Sequence, residues 1–146
     1  MKGKLSIVAV LVIVSLGLIF SVRQSQARLD HPQAIDHVFS GINSGKVETA
    51  LTAFAEDATA ENMVRRETYQ GADEIRQMLQ GMQREGRRYD IVNIQVDGDT
   101  TTARVEVSDE GLVWGTQTVE AITQGGKLQN FTLKSFRLEL WRIGRK

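Results

Sequence analysis

The sequence contains no cysteine, and this absence excludes disulfide bonds, a cysteine nucleophile and a lipid-modified cysteine. It also contains only two histidines, His31 and His37, whose spacing does not place them on one face of a helix. Because neither a cysteine pair nor an HxxxH motif accompanies them, we expect no metal site. No glycine-rich phosphate loop follows a predicted strand and no GxSxG nucleophile motif is present, and we expect no cofactor.

An excess of positive charge is also missing, since the 18 basic and 18 acidic residues give a formal net charge of +0. Three of the basic residues (Lys2, Lys4 and Arg23) lie in the first 27 residues, which contain no acid. Residues 28–146 therefore hold 15 basic against 18 acidic groups, a net charge of −3. This balance disfavours nucleic acid binding, which depends on clustered Lys and Arg. A content of 41% hydrophobic and 25% charged residues is typical of one soluble globular domain.

One long apolar run is present, from Leu5 to Phe20, and two lysines precede it. This pattern is typical of an export signal, and Ser25-Gln26-Ala27 provides small residues for cleavage after Ala27. The run is shorter than the roughly 20 residues of a usual membrane span. The alternative is an uncleaved anchor over residues 5–22. We therefore expect residues 1–27 to be a signal peptide or anchor helix, and residues 28–146 to form a periplasmic or extracellular domain.

The domain begins with helical patterns. Pro32 suits the first turn of a helix whose apolar residues recur at helical spacing until Gly45. A second helix is predicted from Val47 to Phe54, and a break at Asp57-Ala58-Thr59 then leads into a short strand pair, Thr59 to Met63 and Thr68-Tyr69. A third helix is predicted from Gly71 to Gly86.

From Tyr89 onward the apolar residues alternate, which predicts strands with one buried face. Turn signals at Asp97-Gly98-Asp99 and at two later places divide this part into hairpins. The last strand, Leu128 to Trp141, changes the parity of its apolar residues, which predicts a bulge near Lys134-Ser135 or burial on both faces. Helices followed by a curved antiparallel sheet indicate an α+β fold.

The stretch from Gly45 to Leu79 resembles the front half of the nuclear transport factor 2-like domains, and in particular the SnoaL-like (polyketide-cyclase-like) group. With the hairpins, the resemblance covers Gln33 to Leu140. It implies a cone-shaped curved sheet with three N-terminal helices and a ligand site inside the cone. The matching residues are Asn43, Gly45, Phe54-Ala55-Glu56-Asp57-Ala58-Thr59, Gly71, Ile75 and Leu79.

The resemblance also allows the isomerase branch of these domains to be tested against the sequence. Those isomerases use an aspartate base in an Ala-Thr-x-Glu-Asp run, together with a tyrosine. The corresponding position of the base is occupied by Asn62, and that of the tyrosine by Val38. Because an amide does not accept a proton at neutral pH, isomerase chemistry is not expected.

Glu120 is the catalytic candidate. It shares the parity of Trp114 and Ile122, which predicts a carboxylate on an apolar strand face inside the cone. The alternative is a paired or rim residue. Arg104 and Glu106 share one face of their strand, but the apolar residues between them indicate that this face is exposed.

The residues predicted to bind ligand are Asn62, Arg66, Tyr69, Trp114 and Glu120. Ordinary core packing is the alternative for Tyr69 and Trp114. The sequence thus predicts an exported or anchored SnoaL-like domain that binds a small apolar or amphipathic molecule or acts as an interaction module. The alternative is a hydrolase, cyclase or isomerase-type enzyme that uses Glu120 on a small hydrophobic substrate.

A homodimer is expected, because one face of the long final sheet would otherwise stay exposed. Trp141 is assigned to the dimer contact, with a cap on the domain or a membrane contact as the alternatives. Contact with a membrane is otherwise expected only through the N-terminal segment.

Overall fold

The computed structural model describes residues 31–139. The predicted leader over residues 1–27, its cleavage site and Trp141 lie outside the described residues. No helix in residues 31–139 is long and apolar enough to cross a membrane. This part of the chain forms helices α1 (His31–Asn43), α2 (Val47–Leu51) and α3 (Gly71–Arg84), and strands β1 (Phe54–Asn62), β2 (Glu67–Gln70), β3 (Arg88–Asp97), β4 (Thr100–Asp109), β5 (Leu112–Gln124) and β6 (Lys127–Leu138).

The six strands form one sheet in the order β2-β1-β6-β5-β4-β3. All neighbouring strands are antiparallel except β1 and β6, which run parallel. The sheet is curved and unclosed, and the helices cover its concave face. The predicted α+β fold is therefore confirmed.

The apolar stripe of α1 is buried as the helical spacing predicts, with Ile35 and Phe39 against the sheet. Phe39 stacks on Tyr89 of β3 with ring centroids 5.6 Å apart. Gly41 allows α2 to approach closely, since a Cβ there would lie only 2.7 Å from the Cβ of Ala50. These contacts place α1 and α2 across one end of the concave face.

The predicted second helix is too long, because α2 ends at Leu51 and Phe54 already belongs to β1. Phe54 pairs with Leu128 of β6, and its ring meets Phe131 edge-on at 5.6 Å. The predicted break at Asp57-Ala58-Thr59 is also wrong, since these residues lie within β1. A register shift between Phe54 and Thr59 bends the strand there and leaves Asp57 exposed.

The predicted bulge in the last strand is confirmed at Lys134. Thr118 of β5 pairs with Ser135, whereas the next residue Val119 pairs with Leu133, so Lys134 is the extra residue. The bulge reverses the parity of β6, which lets both Leu133 and Phe136 contact the core.

The start of β3 is held to α1 by the side chain of Asn43. Its Nδ2 donates to the Tyr89 carbonyl at 2.7 Å, and its Oδ1 accepts the Tyr89 N–H at 2.9 Å. Because β3 is an edge strand, these backbone groups have no strand neighbour on that side. Asn43 therefore replaces a missing strand at this point.

Candidate functional site

A cavity of about 200 Å³ lies between α3 and the concave face of the sheet. Its wall contains four polar side chains without charge, Asn62, Tyr69, Gln77 and Gln117. It also contains four charged side chains, Arg65, Glu67, Glu85 and Arg87. The apolar side chains that line it are Val64, Met78, Met82, Tyr89, Val107, Leu133 and Phe136.

Helix α3 presents its apolar face to this cavity. Met78 and Met82 lie one turn apart, so both side chains point from the helix toward the sheet. Gly81 also lines the cavity, and a Cβ added there would meet no heavy atom within 4 Å. The missing side chain of Gly81 thus leaves part of the cavity open.

Gln117 of β5 forms part of the cavity wall and is only 9% exposed. Its Nε2 donates to the Ser135 carbonyl at 2.7 Å and to the Thr118 carbonyl at 3.2 Å. Because both partners are acceptors, the amide nitrogen must face them. The amide oxygen Oε1 is left without a hydrogen-bond donor among residues 31–139.

Asn62 lies at the end of β1 and also lines the cavity. Its Oδ1 accepts the backbone N–H of Arg65 at 3.1 Å, which orders the turn that follows. No acceptor for its Nδ2 is found within the described part of the chain. Asn62 and Gln117 therefore present opposite hydrogen-bonding groups, a donor and an acceptor.

Tyr69 of β2 lines the cavity and donates its hydroxyl proton to Oε2 of Glu67 at 2.6 Å. Burial and this hydrogen bond raise the pKa of Tyr69 to about 12. The phenol stays protonated at neutral pH, and its proton is directed to Glu67 rather than into the cavity.

Charged side chains surround the mouth of the cavity. Arg65 forms an ion pair with Glu85, which links the β1–β2 turn to the end of α3 and raises the pKa of Arg65 through the hydrogen bond to that carboxylate. Arg87 lies 3.8 Å from the same carboxylate, and its guanidinium stacks over the ring of Trp114 at 5.4 Å. The charges of the carboxylates Glu67 and Glu85 therefore balance those of the guanidinium groups Arg65 and Arg87 at the mouth.

The predicted position of Glu120 inside the cone is wrong. Glu120 forms an ion pair with Lys134 at 2.7 Å on the convex face of the sheet. The inward residues of β5 have odd numbers, among them Gly115, Gln117 and Val119. The apolar residues Leu112, Trp114 and Ile122 share the parity of Glu120, but they point away from the core, so parity alone selected the wrong face.

Two further residues predicted to bind ligand lie off the cavity wall. Trp114 is 38% exposed and touches the site only through Arg87 at the mouth. Arg66 is exposed in the β1–β2 turn, has a φ of 59° and is not among the residues that line the cavity. Of the five candidates, only Asn62 and Tyr69 are therefore brought together in the cavity wall.

Sequence reasoning did not identify Gln117, Gly81, Glu85 or Arg87 as site residues. Gln117 could have been found, because it shares parity with Val119 and Ala121 and is a polar residue on a buried face. Val38, at the position of the isomerase tyrosine, is fully buried in α1 and lies outside the cavity wall. Residues 31–139 contain no group of three His, Asp or Glu side chains that could hold a metal ion.

Comparison with known proteins gives a family and a fold. A family model described as the SnoaL-like domain matches residues 35–137. No curated protein matches the sequence.

Several solved structures are similar. A proposed polyketide cyclase from Sinorhizobium meliloti has a TM-score of 0.60 at 20% identity, covering 68% of this chain and 91% of that protein. A Catenulispora acidiphila protein with a ketosteroid isomerase-like fold, in complex with trimethylamine, has a TM-score of 0.61 at 16% identity, covering 69% and 83%. An NTF2-like protein of unknown function from Cytophaga hutchinsonii has a TM-score of 0.61 at 10% identity, covering 75% and 92%. At these identities the likeness is one of fold.

Proposed function

The chain belongs to the SnoaL-like domain family, and we propose that its cavity binds a small apolar or amphipathic molecule without proton transfer of the isomerase type. The observation that carries this proposal is the cavity of about 200 Å³ between α3 and the sheet. Its apolar lining with a few neutral polar groups has the character of a small-molecule site.

The state of the carboxylates supports binding rather than catalysis. The two glutamates on the cavity wall are both engaged, Glu67 by the hydroxyl of Tyr69 and Glu85 by Arg65. A general base must be within hydrogen-bond reach of its substrate and free to take the proton. Asn62, at the position of the isomerase base, provides an amide instead.

The enzyme alternative loses its support with Glu120. An ion pair with Lys134 on the convex face keeps this carboxylate away from any ligand in the cavity. A hydrolase or cyclase acting through Glu120 is therefore not part of the proposal.

Gly81 offers a direct test of the cavity. In Gly81→Leu, the new side chain would extend into open space on the cavity wall, so it should occupy the volume without a steric clash. Gly81→Ala is the matched control, because it makes the same backbone change with only one methyl group.

Binding of toluene to the purified protein is followed by titration of amide chemical shifts. We expect saturable shifts at Met78, Met82 and Leu133 in the wild type and in Gly81→Ala, and their loss in Gly81→Leu. Shifts that persist unchanged in a folded Gly81→Leu protein would show that the ligand binds elsewhere and would refute the proposal.

We also propose export, with residues 1–27 as a signal peptide or membrane anchor. The apolar run Leu5–Phe20 behind two lysines supports this placement. Mass spectrometry of fractionated cells tests it. A mature protein that begins at Arg28 is expected for secretion and full-length protein in the membrane for an anchor, whereas full-length protein in the soluble cytoplasmic fraction would refute both.

A homodimer remains a proposal as well. Within residues 31–139, Leu112 and Leu138 are more than half exposed and lie on neighbouring strands at one end of the sheet. Analytical ultracentrifugation of the purified protein is expected to show a dimer, and a monomer at all concentrations would contradict this.

A further inference from the structure

On the basis of the proposed function, we infer that the ligand is a neutral hydroxy-carbonyl compound with one ring or a short chain. Asn62 donates to its carbonyl oxygen, and Gln117 accepts from its hydroxyl group. The size of the cavity, the charge of its wall and the orientation of the two amides carry this inference, and each is independent of the others.

Size restricts the ligand to about one ring. Pockets for drug-sized ligands have volumes of roughly 300–1,000 Å³. An apolar cavity of about 150 Å³ is enough to hold benzene. The cavity of about 200 Å³ therefore fits a single ring with two small substituents, and a fused polycyclic ligand would be too large.

Charge restricts the ligand to a neutral one. The four charged side chains of the wall are at the mouth, where two arginines balance two glutamates. The more buried polar groups of the wall are neutral, namely the amide of Gln117, which is buried, and that of Asn62, which is half-buried. A charged ligand would lose its hydration there without gaining an ion pair, which is costly.

The hydrogen-bonding groups of the ligand follow from how the two amides are held. The Oδ1 of Asn62 already accepts the N–H of Arg65, so the group of Asn62 without a partner among residues 31–139 is Nδ2, which requires an acceptor such as a carbonyl. The Nε2 of Gln117 is occupied by two backbone carbonyls, so Gln117 can offer only its Oε1. That oxygen requires a donor such as a hydroxyl group.

The sheet also separates the two amides. Asn62 on β1 pairs with Leu133 on β6, and β5 with Gln117 is the next strand. Gln117 itself pairs with Phe136 of β6, and two strand spacings place the backbones of β1 and β5 roughly 10 Å apart. The carbonyl and the hydroxyl group of the ligand should therefore lie at opposite ends of its ring or chain.

A matched series of five probes tests these requirements by calorimetry or chemical-shift titration of the purified protein. The probes are 4-hydroxyacetophenone, acetophenone, 4-ethylphenol, toluene and 4-hydroxybenzoate. We expect 4-hydroxyacetophenone to bind most tightly, each single-group analogue to be weaker by roughly two- to tenfold, and toluene to be weaker again. The anionic 4-hydroxybenzoate should bind more weakly than the neutral ketone of the same size.

The variant Asn62→Asp tests the contact with the carbonyl group of the ligand separately from the contact with its hydroxyl group. An aspartate can still accept the Arg65 N–H but no longer donates to a carbonyl. The variant should lose the advantage of acetophenone over toluene and keep that of 4-ethylphenol. Asn93→Asp, at an exposed position of β3, makes the same chemical change away from the cavity and should bind all probes like the wild type.

The outcomes distinguish this inference from the proposed function. If toluene, acetophenone and 4-ethylphenol bind with equal affinity, the cavity binds ligands but the two amides do not select them, and the inference is refuted alone. Tighter binding of 4-hydroxybenzoate than of the ketone would also refute it. If none of the five probes binds, the proposed function fails together with the inference.

Discussion

Asn43 is the residue whose substitution most directly tests how the cavity wall is supported. Its amide makes two hydrogen bonds, of 2.7 and 2.9 Å, to the backbone of Tyr89, which begins β3 and lines the cavity. Asn43→Ala would remove both bonds and leave a partly buried N–H and C=O without their partner. Leaving such groups unsatisfied costs about 1–3 kcal/mol.

A loss of this size is measurable in a domain of about 110 residues. Each kcal/mol corresponds to roughly 3–6 °C in the midpoint of thermal unfolding, so the expected decrease is about 3–18 °C. Calorimetry or circular dichroism of the purified variant gives the value. The ring of Tyr89 also stacks on Phe39, and this contact still holds β3 against α1 when Asn43 is replaced. We therefore expect the variant to fold.

Ser44→Ala is the control for this experiment. Ser44 follows Asn43 directly, and its exposed hydroxyl donates only to helix carbonyls, which retain their other partners. Its substitution should change the free energy of unfolding by less than about 0.5 kcal/mol. If Asn43→Ala is as stable as Ser44→Ala, the edge of β3 does not depend on the amide and the reasoning is wrong.

Three further predictions concern residues in or beside the cavity wall. Burial, with a contribution from the charge of Glu85, raises the pKa of Tyr89 to about 12. The resulting stabilisation is present below pH 10 and is lost as pH rises through 12. The wild type should therefore lose about 2 kcal/mol of unfolding free energy between pH 10 and 12 and Tyr89→Phe less, as measured by denaturant titration at each pH. Gly115→Ala should destabilise by about 1–3 kcal/mol in the same assay, because its Cβ would lie 2.3 Å from the Arg137 carbonyl oxygen and 2.8 Å from Cζ of Phe136; an unchanged midpoint would contradict this close packing. Gly81→Ala should instead stabilise by up to about 1 kcal/mol through helix propensity, and a destabilised variant would show that the space beside Gly81 is not open.

The elements that could be predicted from the sequence are those where one strong pattern decides the structure. The apolar stripe of α1, the alternation of β4 and the parity change of β6 each led to the right structure, including the bulge at Lys134. In each case the burial of apolar side chains on one face determines the conformation.

The region from Leu51 to Thr59 could not be predicted in this way. Local helical spacing continues to Phe54, but pairing of Phe54 with Leu128 ends the helix early. That pairing joins residues 74 positions apart in the chain, so no local pattern reports it. The residues around Asp57 predict the end of a helix, although they form a bend inside β1.

The site itself was the hardest part to predict, and the reason lies in β5. Alternation of apolar residues identifies the buried face of a strand only when the face toward the core is the more apolar one. In β5 the inward face contains Gly115, Gln117 and Thr123, whereas Trp114 and Ile122 lie on the other face. The pattern therefore predicted the face of Glu120 to be inside, whereas the structure has Gln117 on the inward face.

This reversal is informative about function. Placing polar side chains on a concave, buried face carries a cost that a packed core would avoid, because each such group needs a partner. Next to the cavity this face of β5 carries Gln117, whose amide nitrogen is satisfied by Ser135 and Thr118 while its oxygen remains available. A core designed only for stability would place an apolar side chain at this position. An amide at this position is explained if a ligand supplies the missing donor to its oxygen. The residue at which the alternation of apolar side chains fails, Gln117, is therefore also a residue of the cavity wall.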